Sequence, residues 1–237
     1  MNETALATRE ETQPTVTPEE QELLGTKDLD RGDLIIPRIR IIQPTSQIED
    51  SVVGEFHNNV TGHCSDVINV VILRIRKGRV YWDPSATVSD DPLCASDDGL
   101  SPRGTIENPF DEGQGCLACR MAQWIDSQKP PCALVYNYLC VDPETLEPFV
   151  LSLKSTSAKT AKRLNYLVRQ RGFRNAYQLH LVECKGEKGR WFEARVSDAG
   201  PVKTTARFVA LARQLADAEI TTDTEGNGNA ESRDTPF

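Results

Sequence analysis

A chain of 237 residues, 38% of them hydrophobic, is long enough to bury a core, and 27 basic against 35 acidic side chains leave it at −8. No apolar run approaches the ~18 residues of a membrane helix, which excludes a membrane span. The first thirty residues lack a basic start and an apolar stretch, so no signal peptide is read and a cytoplasmic chain is expected. Seven Cys, an odd number, in a reducing compartment argue against a disulfide framework and leave metal ligation, redox chemistry or buried thiols.

The net charge hides an uneven distribution. Residues 1–33 carry 9 acids and 3 bases, residues 217–237 carry 6 acids and 1 base, and residues 83–132 carry 9 acids and 3 bases. The remaining body has 20 bases against 11 acids. A basic body with acidic ends and an acidic insert suits a nucleic-acid binder that tunes its own affinity, although acidity also serves solubility.

In chain order, residues 1–33 are polar and are expected to be a disordered acidic N-terminal segment. Leu34 to Ile42 alternates Arg38 and Arg40 with Ile39 and Ile41, a strand pattern that Pro37 confines to an edge or a bulge. Val67 to Trp82 is a longer β stretch in which Arg74 and Arg76 repeat the spacing before Gly78 breaks or bends it. Ala133 to Val141 and Phe149 to Lys154 read as a hairpin turned at Asp142-Pro143-Glu144, and Gln178 to Cys184 with Trp191 to Val196 as another.

Two helices are predicted. In Ser157 to Arg171, Ala161, Leu164, Leu167 and Val168 form an apolar stripe, Lys159, Lys162, Arg163, Tyr166 and Arg169 take the other side, and Gly172 ends the helix. Thr205 to Ala218 carries Phe208, Leu211, Ala212 and Leu215 at helical spacing. Short strands with an intervening helix predict a mainly β fold, a small barrel over residues 34–216.

Between Asp83 and Pro131 the pattern stops, and the segment has too few apolar residues to order itself. Cys94, Cys116, Cys119 and Cys132 supply an alternative. Cys116-Leu117-Ala118-Cys119 is a C-x2-C knuckle that lets two thiolates reach one tetrahedral ion, with Cys94 and Cys132 closing the site. Four thiolates favour structural zinc; a redox pair or an iron cluster is the alternative. Cys140 and Cys184 read as core thiols, and His63-Cys64 as structural or as an additional ligand source.

Arg38 with Arg40, and Arg74 with Arg76, project from strand faces where guanidinium forks meet phosphates, and Lys159, Lys162 and Arg163 add a basic helix face. Tyr81, Trp82, Tyr136 and Tyr138 are either ring platforms for bases or core residues. No recognition helix or finger-type His appears, nor a Ser-His-Asp or Cys-His ordering, a phosphate loop or a clustered set of carboxylates on the body, so no enzyme is expected.

The run Ile36-Pro37-Arg38-Ile39-Arg40-Ile41-Ile42-Gln43-Pro44, Gly54-Glu55-Phe56, the four-Cys insert, Tyr136-Asn137-Tyr138 and Leu151-Ser152-Leu153-Lys154-Ser155-Thr156 resemble phage and prophage single-stranded-DNA-binding proteins of the OB-fold type. The resemblance implies an OB-like barrel with an inserted zinc subdomain at 83–132, in the host cytoplasm. One departure is that zinc-containing phage helix-destabilising proteins use a mixed His and Cys site, whereas four Cys suffice here. The last residues, Asp234-Thr235-Pro236-Phe237, are similar to the Asp-x-Pro-Phe tip of bacterial single-stranded-DNA-binding proteins, which implies that Asp234, Pro236 and Phe237 dock replication and recombination proteins. That tip would end a disordered acidic tail, 217–237, whose acids compete with DNA for the basic groove. The expected function is sequence-independent single-stranded DNA binding in replication or recombination; the rivals are a zinc-ribbon protein-interaction module and an RNA-binding regulator.

Overall fold

The protein is described by a computed structural model at residues 22, 24, 35–46, 48–82, 91–103, 115–187 and 189–224. The chain divides into two units, Met1–Ile36 and Pro37–Phe237, and the second carries the fold.

Among the described residues of this unit the strands are β1 (Arg38–Ile41), β2 (Phe56–Asn58), β3 (Cys64–Ser65), β4 (Val67–Tyr81), β5 (Cys94–Ser96), β6 (Ala133–Val141), β7 (Pro148–Lys154), β8 (Asn175–Gly186) and β9 (Gly189–Pro201). The helices are α1 (Ala158–Arg171) and α2 (Thr205–Gln214). The strands pair in the order β3-β2-β1-β7-β6-β4-β8-β9, with β5 added to β4. The long β4 bends the sheet into a curled half-barrel: Val67–Val70 pair with β8, and Val71–Val80 pair with β6 across a register shift between Ile72 and Arg74. A bulge of this kind increases twist locally, which lets one strand serve both halves.

Pro37 does not push β1 to an edge. The strand begins at Arg38 and lies between β2 and β7, parallel to the latter, while the Pro37 carbonyl accepts the Val150 N–H at 2.8 Å. The missing N–H of proline thus falls just outside the ladder. Nor does Gly78 interrupt β4, which runs through it to Tyr81.

The concave face carries the main core. Ile39, Ile72, Tyr138, Leu151, Leu153, Tyr177 and Leu179 pack there against Ala161 and Leu164 of α1. Leu167 and Val168 complete the predicted stripe, half-buried on the same cluster. Gly172 ends α1 with φ 56°, a conformation that L side chains rarely adopt. Tyr138 reaches Asn165 Oδ1 at 2.8 Å and the Ala161 carbonyl at 3.1 Å, and Thr160 donates to the Ala194 carbonyl at 2.6 Å.

The outer face is covered as well. α2 packs on β4 through buried Phe208 and ends at Gln214, four residues short of the predicted Ala218. Beyond it the chain extends across the sheet: Ile220, Thr222 and Asp223 are buried, although these positions were expected to belong to a free tail. The reason lies in the side chains, an apolar Ile220 that fills the outer layer and an Asp223 that meets a cation of the sheet.

Candidate nucleic-acid interface and cysteine cluster

Two-residue alternation puts Arg38, Arg40, Arg74 and Arg76 on the outer face, as the strand pattern predicts. Register adds members to this set. Arg38 pairs with Val150, Arg76 with Asn137 and Asn137 with Ser152, so Ser152, Lys154 and Asn137 stand on the same side. Five cations from β1, β4 and β7 therefore frame two neutral polar side chains. The sequence reading missed Lys154, although its signal was present in the alternation of Leu151-Ser152-Leu153-Lys154.

Residues 216–224 lie against this face. Arg74 donates to the carbonyls of Ala216 and Ala218. Arg38 donates to the Ser152 hydroxyl and to the Thr221 carbonyl, each at 2.8 Å. Arg40 makes a bidentate pair with Asp223 at 2.9 Å for both bonds, with 8% and 5% of the two side chains exposed. Thr222 seats at the centre, bonded to Asn137 Nδ2 (3.2 Å), the Ser96 carbonyl (2.8 Å) and, through its N–H, Asp97 Oδ1 (2.5 Å). A Cβ built on Gly78 would stand 1.8 Å from the Thr222 hydroxyl, so glycine there makes the room. Burial lowers the Lys154 pKa; Asp223 opposes the shift, while Arg40 and Arg38 reinforce it. Arg76 remains exposed.

The expected ring platforms are enclosed. Tyr138 has no exposed surface, Tyr136 and Tyr81 are buried, and Trp82 is half-buried. Lys159, Lys162 and Arg163 stand exposed on α1, as does Tyr166, whose ring is 65% exposed. Its signal in the sequence was an aromatic on the polar side of the helix.

The four cysteines of the insert converge. Cys94 sits in β5 opposite Tyr81 of β4, Cys116 follows Gly115 with its N–H on the Leu100 carbonyl, and Cys132 donates its N–H to the Met121 carbonyl. All four are buried, and together with Arg79, Tyr81, Met121 and Ala122 they line one small cavity. Burial pushes the Cys132 thiol up to about 12, against the pull of Arg79, and raises Cys116 as well. Four soft donors around one small cavity beside a cation suit a thiolate-held ion in chemistry. Among the described residues, however, no three His, Cys, Asp or Glu side chains stand in ligating arrangement. Cys140 is fully buried in the main core, and Cys64 and Cys184 lie outside the cluster, half-exposed. Asp234, Pro236 and Phe237 fall outside the described residues, as do 1–21, 83–90 and 104–114.

No helix among the described residues is long and apolar enough to cross a membrane. No curated protein and no solved structure matches the chain. Residues 126–221 match the family model described as Pam3 phage gp34-like protein, from the end of the insert through β6, β7, α1, β8, β9 and α2, with β1–β5 and three of the four clustered cysteines outside the match. Over that stretch the chain is similar to a phage protein family.

Proposed function

We propose that the protein binds single-stranded DNA without sequence preference during phage replication or recombination, through an OB-like barrel and without enzymatic activity. One observation carries the reading. The outer face of β1, β7 and β4 holds a segment of the chain itself by guanidinium contacts to its carbonyl and carboxylate oxygens. A run of acceptor oxygens is also what a sugar-phosphate backbone offers, with more charge. Single-stranded DNA would take the place of residues 216–224, so the C-terminal region competes with DNA as its acidity suggests. The tip with Asp234, Pro236 and Phe237, freed or not, would remain available to capture replication proteins.

Zinc would be held by Cys94, Cys116, Cys119 and Cys132, with Arg79 offsetting part of the thiolate charge. When bound, the ion supplies the cross-link that the insert lacks in apolar residues.

A second reading, an interaction module that grips a protein through the insert, is favoured by Leu117, Trp124 and Ile125, which are 65%, 63% and 54% exposed there. RNA is a third candidate for the same groove chemistry.

A salt titration with a fluorescent oligonucleotide separates these. Binding of single-stranded DNA should weaken as salt rises, and Arg76→Glu should lower affinity uniformly across sequences and flatten the salt slope by about one or more. Competition against equal lengths of RNA and duplex ranks the first and third readings. Negligible affinity for all three nucleic acids would leave the protein-binding reading in their place.

A further inference from the structure

The aromatic rings nearest the arginine strands are enclosed, yet single strands are held by rings as well as by cations. Among the described residues two aromatic side chains are largely exposed, Trp124 at 63% and Tyr166 at 65%. Their surroundings differ in sign. Trp124 belongs to the acidic insert, whereas Tyr166 stands on α1, whose sequence Ala-Lys-Thr-Ala-Lys-Arg-Leu-Asn-Tyr-Leu-Val-Arg-Gln-Arg contains five cations and no acid.

Helical spacing surrounds the Tyr166 ring with charge. Lys162 and Arg163 precede it by four and three residues, Arg169 follows by three, and Lys159 lies one further turn back, all exposed. From Lys159 to Arg169 the helix spans about 15 Å at ~1.5 Å per residue. Among the described residues none of these four cations has a carboxylate partner; Arg171, two residues beyond Arg169, is the member that does, paired with Asp198. Tyr166 itself makes no hydrogen bond with a described residue, and its partial exposure contributes nothing to the core, which α1 reaches through Ala161 and Leu164. Among the described residues this charge meets no carboxylate and the ring no polar partner.

We propose that the outward face of α1 is a second contact for single-stranded nucleic acid, in which Tyr166 stacks on a base while Lys159, Lys162, Arg163 and Arg169 hold the flanking phosphates. The proposal rests on the single-strand reading above and goes beyond it, because this face lies across the sheet from residues 216–224. It is open while they are docked, and so receives the strand first.

The test uses the full chain with fluorescent oligothymidylate, a duplex of the same length, and vesicles of mixed phosphatidylserine and phosphatidylcholine. Tyr166→Ala should weaken oligothymidylate binding about tenfold or more with the salt slope unchanged, Tyr166→Phe should restore it, and duplex affinity should stay the same, since paired bases offer no free face. Lys162→Ala with Arg163→Ala should weaken binding and flatten the slope by about two. Thermal melting of Tyr166→Ala should match the parent, which separates stacking from folding. Oligothymidylate binding that is indifferent to Tyr166→Ala, while Arg76→Glu still weakens it, overturns this proposal alone. A parent chain that binds vesicles through Tyr166 but not oligothymidylate overturns it in favour of an anionic membrane. A parent that binds no single strand at any salt overturns both readings.

Discussion

Gly78 decides whether the C-terminal segment can dock. Its missing Cβ is occupied by the Thr222 hydroxyl, and any side chain there would meet that oxygen at 1.8 Å, the Ser96 carbonyl at 2.8 Å and Asn137 Nδ2 at 3.1 Å. Ser96 belongs to β5 and is held by its ladder, whereas Thr222 lies in a segment without regular structure beyond the last helix, so that segment gives way first. Gly78→Ala is therefore expected to lift residues 220–224 from the sheet and to cost about 1–3 kcal/mol, in the range of an overpacked site. With the Arg40–Asp223 pair loosened and no charge altered, single-stranded DNA should bind more tightly at low salt. Melting and oligonucleotide titration on the same sample check both halves; a destabilised variant with unchanged affinity would mean that the segment is only a structural cover. Had Asp223 been removed instead, a buried Arg40 would lose this bidentate pair, and the stability loss would obscure the binding effect.

At the scale of elements, the insert is the part with few apolar residues for its length. Its described core is a cluster of Tyr81, Cys94, Cys119, Ala122 and Cys132, with Met121 half-buried against it. If zinc is held as proposed, the parent is expected to carry about one ion per chain, and Cys116→Ser to leave the purified chain without it and to loosen the insert while β6 and β7 keep their melting behaviour. Metal analysis and hydrogen exchange along the insert check this, and a folded parent free of metal would refute it. Much of the element map was legible. β6 occupies Ala133–Val141 as read, and β7 and α1 start within one residue of the reading, because their apolar spacing is regular. The convergence of four Cys was legible for the same kind of reason: a segment without a core needs another tie. What alternation could not reveal is which face of a strand meets solvent when both are covered. Tyr138 on the concave side and Leu139 on the other are 0% and 1% exposed, so the period-two signal carries no choice between ring platform and core residue. The partner of Arg40 was equally hidden, since nothing local marks Asp223 as its match.

The whole molecule should respond to pH through the same region. His57, 5% exposed, stands opposite Arg40 in the β1–β2 ladder, and its Nδ1 has no hydrogen-bond partner among the described residues. Burial, and secondarily Arg40, lower its pKa from 6.5, so the folded state holds the neutral ring more strongly than the unfolded chain does. Stability from this group is present above pH ~6.5 and is lost as pH falls through that value towards the depressed folded pKa. The melting temperature should decline from about pH 7.5 to about pH 5.5, and His57→Gln should flatten that decline; equal slopes for parent and variant would place the acid sensitivity elsewhere. The Arg40–Asp223 pair has a further consequence, for synthesis. Its two members lie 183 residues apart, so a chain made at about 5–20 residues per second completes β1 on the order of ten seconds or more before its counter-charge exists. Throughout that interval Arg40 lacks Asp223, and Arg38 lacks the Thr221 carbonyl. A ribosome stalled after β7 but before residue 223 would therefore leave a sheet whose Arg38 and Arg40 lack their contacts with Thr221 and Asp223, and whose outer face would meet a polyanion without first having to displace that segment.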